Sequence, residues 1–267
     1  MTRGRLQPTA ASAALAALCL LVAAAMPAIA GADQSRPILT IVIDDLGWDR
    51  IAGERTLALP KAVTVAILPG APASSALAEL AMRSGHEVML HQPMEALDAR
   101  WLGPGALAVE HDAREIRARL AENLAALPQR AGVSNHMGSR LTAEARAMNA
   151  VMTELAGRDL YFLDSRTTPD TVALQAAQAH DIPATRRDVF LDVDIEDHQI
   201  DRALTAALNL AETRGHALAI GHPHVATLRV LEARMAEITR RVELVPVSRM
   251  IELQETRAKG TARQPAD

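Results

Sequence analysis

Eight short apolar runs recur along the chain, and most of them stop at a histidine or a carboxylate. They cover residues 38–43, 63–68, 87–91, 133–136, 160–163, 189–193, 217–220 and 242–245. Each has the length of a strand and is bounded by polar or turn-forming residues. Helical patterns lie between them. Ile116, Leu120, Leu124 and Leu127 share one helical face. So do Ile200, Leu204, Leu208 and Ala211, and again Leu228, Leu231, Met235 and Ile238. Asp112 with Glu115 reads as a capping pair, and Thr168 before Pro169 as an N-cap followed by proline at the first helical position. Strands alternating with helices imply parallel βα units, in an α/β fold. A (β/α) barrel and an open doubly wound sheet both satisfy that pattern. No glycine-rich phosphate loop follows the first run, which argues against nucleotide binding. Residues 95–105 read as a loop.

The ends of the chain belong to neither pattern. Arg3 and Arg5 precede an apolar stretch over residues 11–26, and Ala28-Ile29-Ala30 follows as a small-x-small cleavage site. Residues 1–30 are therefore expected to be a secretory signal peptide, with export to the periplasm or cell envelope. The alternative is an uncleaved anchor, for which the stretch is short. Cys19, the single cysteine, lies in this leader, so the mature chain has no thiol to pair or to bind metal. Residues 31–253 form the expected domain, and the polar segment 254–267 a disordered tail. The formal net charge is −4. Removing the leader takes away two arginines and no acid, so nothing points to nucleic acid. No second apolar stretch argues for a membrane span. Aromatic residues are confined to Trp48, Trp101, Tyr161, Phe162 and Phe190.

Chemistry collects where the apolar runs end. Asp44 and Asp45 follow the first, and His91 ends the third. Asn135 and His136 end the fourth, and Asp164 follows the fifth. Asp192 and Asp194 lie at the end of the sixth, and His222 and His224 follow the seventh. In a parallel barrel the strand C-termini open on one face, which holds the site. Histidines and carboxylates without cysteine suit zinc or another divalent transition metal. Each residue also has an ordinary structural reading. An aspartate at a strand end can simply cap the next helix. His91 could be a satisfied core histidine, and Asp164 a partner of Arg166. Either His222 or His224 is expected to lie at the surface or behind the site. His86, His111, His180, His198 and His216 read as structural. Arg186 and Arg187 suit a solvated salt-bridge cluster or a substrate clamp.

Ile43-Asp44-Asp45, Gly85-His86-Glu87-Val88-Met89-Leu90-His91 and a late histidine together resemble the NodB-type polysaccharide deacetylases. His91-Gln92-Pro93-Met94-Glu95, Asn135-His136-Met137-Gly138-Ser139-Arg140, Leu163-Asp164-Ser165-Arg166 and Ile220-Gly221-His222-Pro223-His224 resemble the divergent polysaccharide deacetylase family more closely. The resemblance covers about residues 37–253. It implies a distorted (β/α) barrel of seven or eight largely parallel strands and a divalent metal, Zn²⁺ first. It also implies hydrolysis of N-acetyl groups on an envelope carbohydrate. By this pattern Asp44 is the general base, Asp45 and His91 bind metal, and His222 is the general acid. The pattern's second metal histidine falls on Glu95, so His136 competes with Glu95 for the third ligand position. The usual Arg-x-Pro-aromatic block is absent. Asp164 is expected to orient a histidine or a water, and Asn135, Arg140 and Arg166 to contact substrate. The expected substrate is an N-acetylated glycan or peptidoglycan fragment. Two alternatives stand beside this. One is a catalytically weak or inactive envelope protein that binds a glycan or a cell-division partner. The other is a metal-dependent phosphoesterase, which would need a more basic mouth.

Overall fold

The computed structural model describes Met1 and residues 36–98, 102–128 and 130–261. The expected leader and Trp101 lie outside the described residues. The described residues from Arg36 onward belong to one compact unit. Nine strands occur in it: β1 (Ile38–Leu46), β2 (Thr64–Ile67), β3 (Val88–Met94), β4 (Gly132–Met137), β5 (Tyr161–Asp164), β6 (Ala184–Arg186), β7 (Val189–Phe190), β8 (His216–Gly221) and β9 (Glu243–Leu244). The helices are α1 (Arg50–Thr56), α2 (Ser74–Arg83), α3 (Ala113–Ala126), α4 (Ala145–Leu155), α5 (Ala173–Ala179), α6 (Asp197–Arg214), α7 (Val225–Arg241) and α8 (Val247–Thr261). No described helix is long and apolar enough to cross a membrane.

All strand pairs are parallel, in the order β6-β5-β4-β3-β2-β1-β8-β7, with β9 beside the start of β1. The two outermost strands, β6 and β7, are neighbours in sequence, separated only by Arg187 and Asp188. So short a link brings the two sheet edges together, and the sheet must curl almost into a ring. This is the distorted barrel, left unzipped between β6 and β7.

Alternation along the strands builds two cores. Leu39, Ile41 and Ile43 of β1 pack outward with Val65, Leu90, Val133 and Phe162 and with the helix residues Ile116, Leu120, Leu204 and Leu228. Ile38 and Val42 face inward with Met89, Tyr161, Leu163, Leu218 and Ile220. Val247, Met250 and Ile251 of α8 join that inner cluster and plug one end of the barrel. The apolar faces expected on three helices are the buried faces of α3, α6 and α7.

Four local expectations need correction or refinement. A ninth strand, β6, was missed because its three residues, Ala-Thr-Arg, carry no apolar run. The sixth run pairs only over Val189–Phe190, because the chain then turns to aim Asp192 at the mouth. No helix starts at Pro169. Thr168 Oγ1 instead accepts from the Asp170 amide in a tight turn, and α5 begins at Ala173. The final helix passes the expected boundary at 253 and reaches Thr261, driven by the apolar anchors at its start and good helix formers beyond. Residues 262–267 lie outside the described residues. Asp112 caps α3 as expected, accepting from the Glu115 amide at 2.8 Å.

Candidate metal centre and acid–base groups

The inward row of β1 runs Ile38, Thr40, Val42, Asp44, so the strand's own alternation carries Asp44 into the barrel mouth. Asp45 should then point outward, since neighbouring strand residues face opposite sides. A bulge prevents this. Ile43 pairs with Val65 and Leu46 with Ile67, which leaves one extra residue on β1. Asp45 takes a left-handed backbone, φ 62°. Aspartate tolerates that region better than most residues do. Both carboxylates therefore reach the same end of the barrel.

His91 on β3 and His136 on β4 follow the inward rows that contain Met89 and Ser134. His91 Nδ1 lies 2.7 Å from Ser134 Oγ, its register partner on β4. That contact fixes the ring and turns Nε2 toward Asp45. His91 Nε2 stands 3.1 Å and His136 Nδ1 2.7 Å from Asp45 Oδ1. The two rings meet edge to face, with centroids 5.1 Å apart. Asp45 Oδ1 is nonetheless buried without a hydrogen bond of acceptable geometry. Asp45, His91 and His136 each offer a ligand atom, and these atoms lie within 4.8 Å of one another. One carboxylate and two imidazoles, with a buried orphan oxygen at their centre, fit a divalent transition ion. Burial pushes the Asp45 carboxyl up, but the adjacent His136 and His91 outweigh this and hold it well below the usual range. Glu95 stands outside the group: it accepts from the Val109 amide at 2.7 Å and pairs with Arg140 at 2.5 Å. Of the two residues, His136 is the one that joins Asp45 and His91 in this candidate group.

Asp44 is buried beside this group, 3.7 Å from His91 Nε2, and its Oδ1 has no hydrogen-bond partner. Burial pushes its carboxyl above the ordinary range despite the nearby histidines. His222, just beyond β8, faces Asp45 Oδ2 at 3.9 Å from the opposite side. Its Nδ1 lies 2.9 Å from Asp192 Oδ1. Asp192 Oδ2 accepts from the His222 amide and from Thr227 Oγ1, both at 2.7 Å. Burial pulls the His222 pKa down, but Asp192 and the other carboxylates raise it to about 9. A protonated imidazole aimed into the mouth can act as an acid. Asp192, His222 and His224 form a second group of ligating side chains. Both Asp192 oxygens are already engaged, and His224 is exposed at the start of α7. That arrangement suits a held proton better than a second ion.

Two expected roles change. Asp164 shares the outward parity of Phe162. It accepts from the Arg166 amide at 2.8 Å and from Thr171 Oγ1 at 3.1 Å, and it makes no hydrogen bond or ion pair with a histidine among the described residues. The carboxylate that orients a histidine is Asp192. Its position at a strand end was visible in the sequence, but its partner was not. Asn135 shares the outward parity of Val133 and is fully buried. Its Oδ1 accepts from the Ser165 amide at 2.9 Å, and its Nδ2 donates to the Met137 carbonyl at 2.7 Å. It staples the ends of β4 and β5 and exposes nothing to a substrate. Ser134, which fixes His91, was also missed, because only the strand register puts it there. Arg140 is half exposed but committed to Glu95. Arg166 is exposed at the mouth with its backbone at φ 53°. Trp48 is partly exposed just past β1. His86 and His111 are structural, contacting the Val63 carbonyl and the Ala108 amide. A cavity of about 740 Å³ opens at the other end of the barrel, lined by Arg130, Tyr161 and His180 among others. It gathers no comparable donor set, so its size does not make it the site.

Comparison with known proteins finds relatives over most of the chain. The chain is 37% identical over 235 residues to an uncharacterized protein of Escherichia coli K12, YibQ, covering 88% of this chain and 72% of that one. It is 34% identical over 207 residues to an uncharacterized Haemophilus influenzae protein, covering 78% and 74%. Among solved structures, the uncharacterized protein ATU2773 of Agrobacterium tumefaciens C58 superposes with a TM-score of 0.78 at 25% identity, over 82% of this chain and 91% of that one. The family model for divergent polysaccharide deacetylases matches residues 41–251, a span that includes both aspartates of β1, His91, His136, Asp192 and His222, and the chain belongs to that family.

Proposed function

We propose that the protein is an exported, metal-dependent hydrolase that removes N-acetyl groups from an envelope carbohydrate. The observation carrying this reading is the convergence of His91 and His136 on Asp45, with Asp44 on one flank and the Asp192–His222 pair on the other. Asp45, His91 and His136 would hold a divalent ion, Zn²⁺ first by donor type. When bound, such an ion supplies Lewis-acid activation of water and of an acyl oxygen. Asp44 would accept the proton from the attacking water at its unpartnered carboxylate. His222 would deliver its proton to the departing amine, with Asp192 holding the ring and stabilising the charged form. Ser134 holds the His91 ring in one orientation. The family, the leader-like N-terminus and the acidic balance of the chain support an envelope glycan as substrate rather than a nucleic acid.

The test is acetate release from N-acetylated chitooligosaccharides and muropeptides by the metal-loaded protein. Acetate above blank that disappears in Asp44→Asn is the expected result. No acetate from either substrate class would favour an inactive glycan-binding protein on the same barrel.

A further inference from the structure

Two arginines come together at the mouth beside these groups, and neither forms an ion pair among the described residues. Arg187, on the link between β6 and β7, donates from Nε to the Ser165 carbonyl and from Nη2 to the Arg166 carbonyl, both at 2.7 Å. Its guanidinium carbon lies 4.8 Å from the centre of the Phe190 ring, and that ring packs 5.2 Å from His222. The guanidinium is thus fixed and part-buried close to the acid–base groups, with no hydrogen bond from Nη1 among the described residues. Arg166 holds its neighbour through its backbone, while its own side chain makes no ion pair or hydrogen bond among the described residues. Burial and the adjacent Arg166 charge hold Arg187 below the ordinary arginine range, despite Asp164 and Asp44 nearby. Arg166, Arg187, Thr167 and Thr168 line one small recess of about 230 Å³.

Like charges brought together and only partly neutralised repel, and an anion seated between them lowers the penalty. Guanidinium forks match the geometry of a carboxylate. The recess is smaller than an ordinary ligand pocket and suits a substituent rather than a whole sugar ring. Asp44 and Asp164 already offset part of the positive charge. A singly charged carboxylate therefore balances the pair better than a phosphate dianion. We infer that Arg166 and Arg187 form a subsite for a carboxylate carried on the glycan, so that the favoured substrate is an N-acetylated sugar acid. This rests on the deacetylase reading for the glycan, but its test does not.

Calorimetric titration of the metal-loaded protein would use three probes. They are a disaccharide containing N-acetylmuramic acid, the same disaccharide with its carboxyl converted to a carboxamide, and inorganic phosphate. The acid should bind at least about tenfold more tightly than the amide, as expected for charge-assisted hydrogen bonds. Arg166→Gln, whose side chain supports no other part of the fold, should shrink that ratio below about twofold. Equal behaviour of acid and amide, including no binding of either, would overturn the subsite. So would an unchanged ratio in Arg166→Gln, or phosphate binding without acid preference. Acetate release is scored separately. Release without acid preference removes the subsite and keeps the deacetylase, whereas acid preference without release does the reverse.

Discussion

Replacing Asn135 with alanine tests whether this residue serves the fold or the substrate. The change removes the acceptor for the Ser165 amide and the donor to the Met137 carbonyl. The Ser165 amide is then left buried and unpaired, at a cost of about 1–3 kcal/mol. The Met137 carbonyl fares better, because Thr167 Oγ1 still donates to it at 2.9 Å. Its loss should cost only about 1 kcal/mol, the net value of an ordinary hydrogen bond. The total, about 2–4 kcal/mol, should lower the melting temperature by roughly 5–15 °C in a domain of this size. Thermal melts followed by circular dichroism would measure it. A substrate ligand behaves differently: its loss raises KM and leaves the melt where it was. A melting temperature within about 2 °C of the parent would refute the staple.

Three further outcomes follow from the same geometry. Metal analysis of the purified protein should find close to one divalent ion per chain, and Asp45→Ala should lose it; full occupancy in that variant would sink the ligand assignment. Asp192→Asn removes the charge that keeps His222 protonated, so the His222 pKa should fall from about 9. The alkaline limb of kcat/KM should then move to lower pH by a unit or more, and an unmoved limb would exclude His222 as the acid. A Cβ placed on Gly132 would stand 2.3 Å from the Tyr161 ring; Gly132→Ala should therefore destabilise by about 1–3 kcal/mol in a denaturant titration.

Much of this arrangement could be read from strand endings. All eight apolar runs overlap a strand, and Asp44, His91, His136 and His222 gather where a parallel barrel places its strand C-termini. A stricter use of alternation would have gone further. Counting in twos from Ile38 reaches Asp44, from Met89 reaches His91, and from Leu218 reaches His222. Counting from Phe162 reaches Asp164, and from Val133 reaches Asn135, both on the outward side. Their buried structural roles were thus implicit in the sequence. Ser134 and Asp192 were not legible in that way. Ser134 matters because β3 and β4 pair in the register that sets it against His91. Asp192 matters because the chain after β7 folds back onto the residue beyond β8, where Gly221 leaves room for its carboxylate.

Asp45 defied alternation for a reason that extends to the rest of the mouth. Its left-handed backbone has counterparts at Met137, φ 55°, just after His136, and at Arg166, φ 53°, two residues after Asp164. Each such residue costs on the order of 1–3 kcal/mol unless its surroundings hold it. The surroundings do hold two of them: the Met137 carbonyl receives Asn135 and Thr167, and the Arg166 amide and carbonyl engage Asp164 and Arg187. Near the ends of β1, β4 and β5 the chain thus passes through left-handed residues, as a bulge within β1 and as turns at β4 and β5, the latter two braced by buried polar groups. Such turns free a polar side chain from strict alternation. At β1 the bulge lets two adjacent carboxylates reach the same mouth. At β5 it presents Arg166 to solvent over the fixed guanidinium of Arg187. Asn135 and Asp164, which have no free group for chemistry, are needed because the turns they brace would otherwise be too costly to keep.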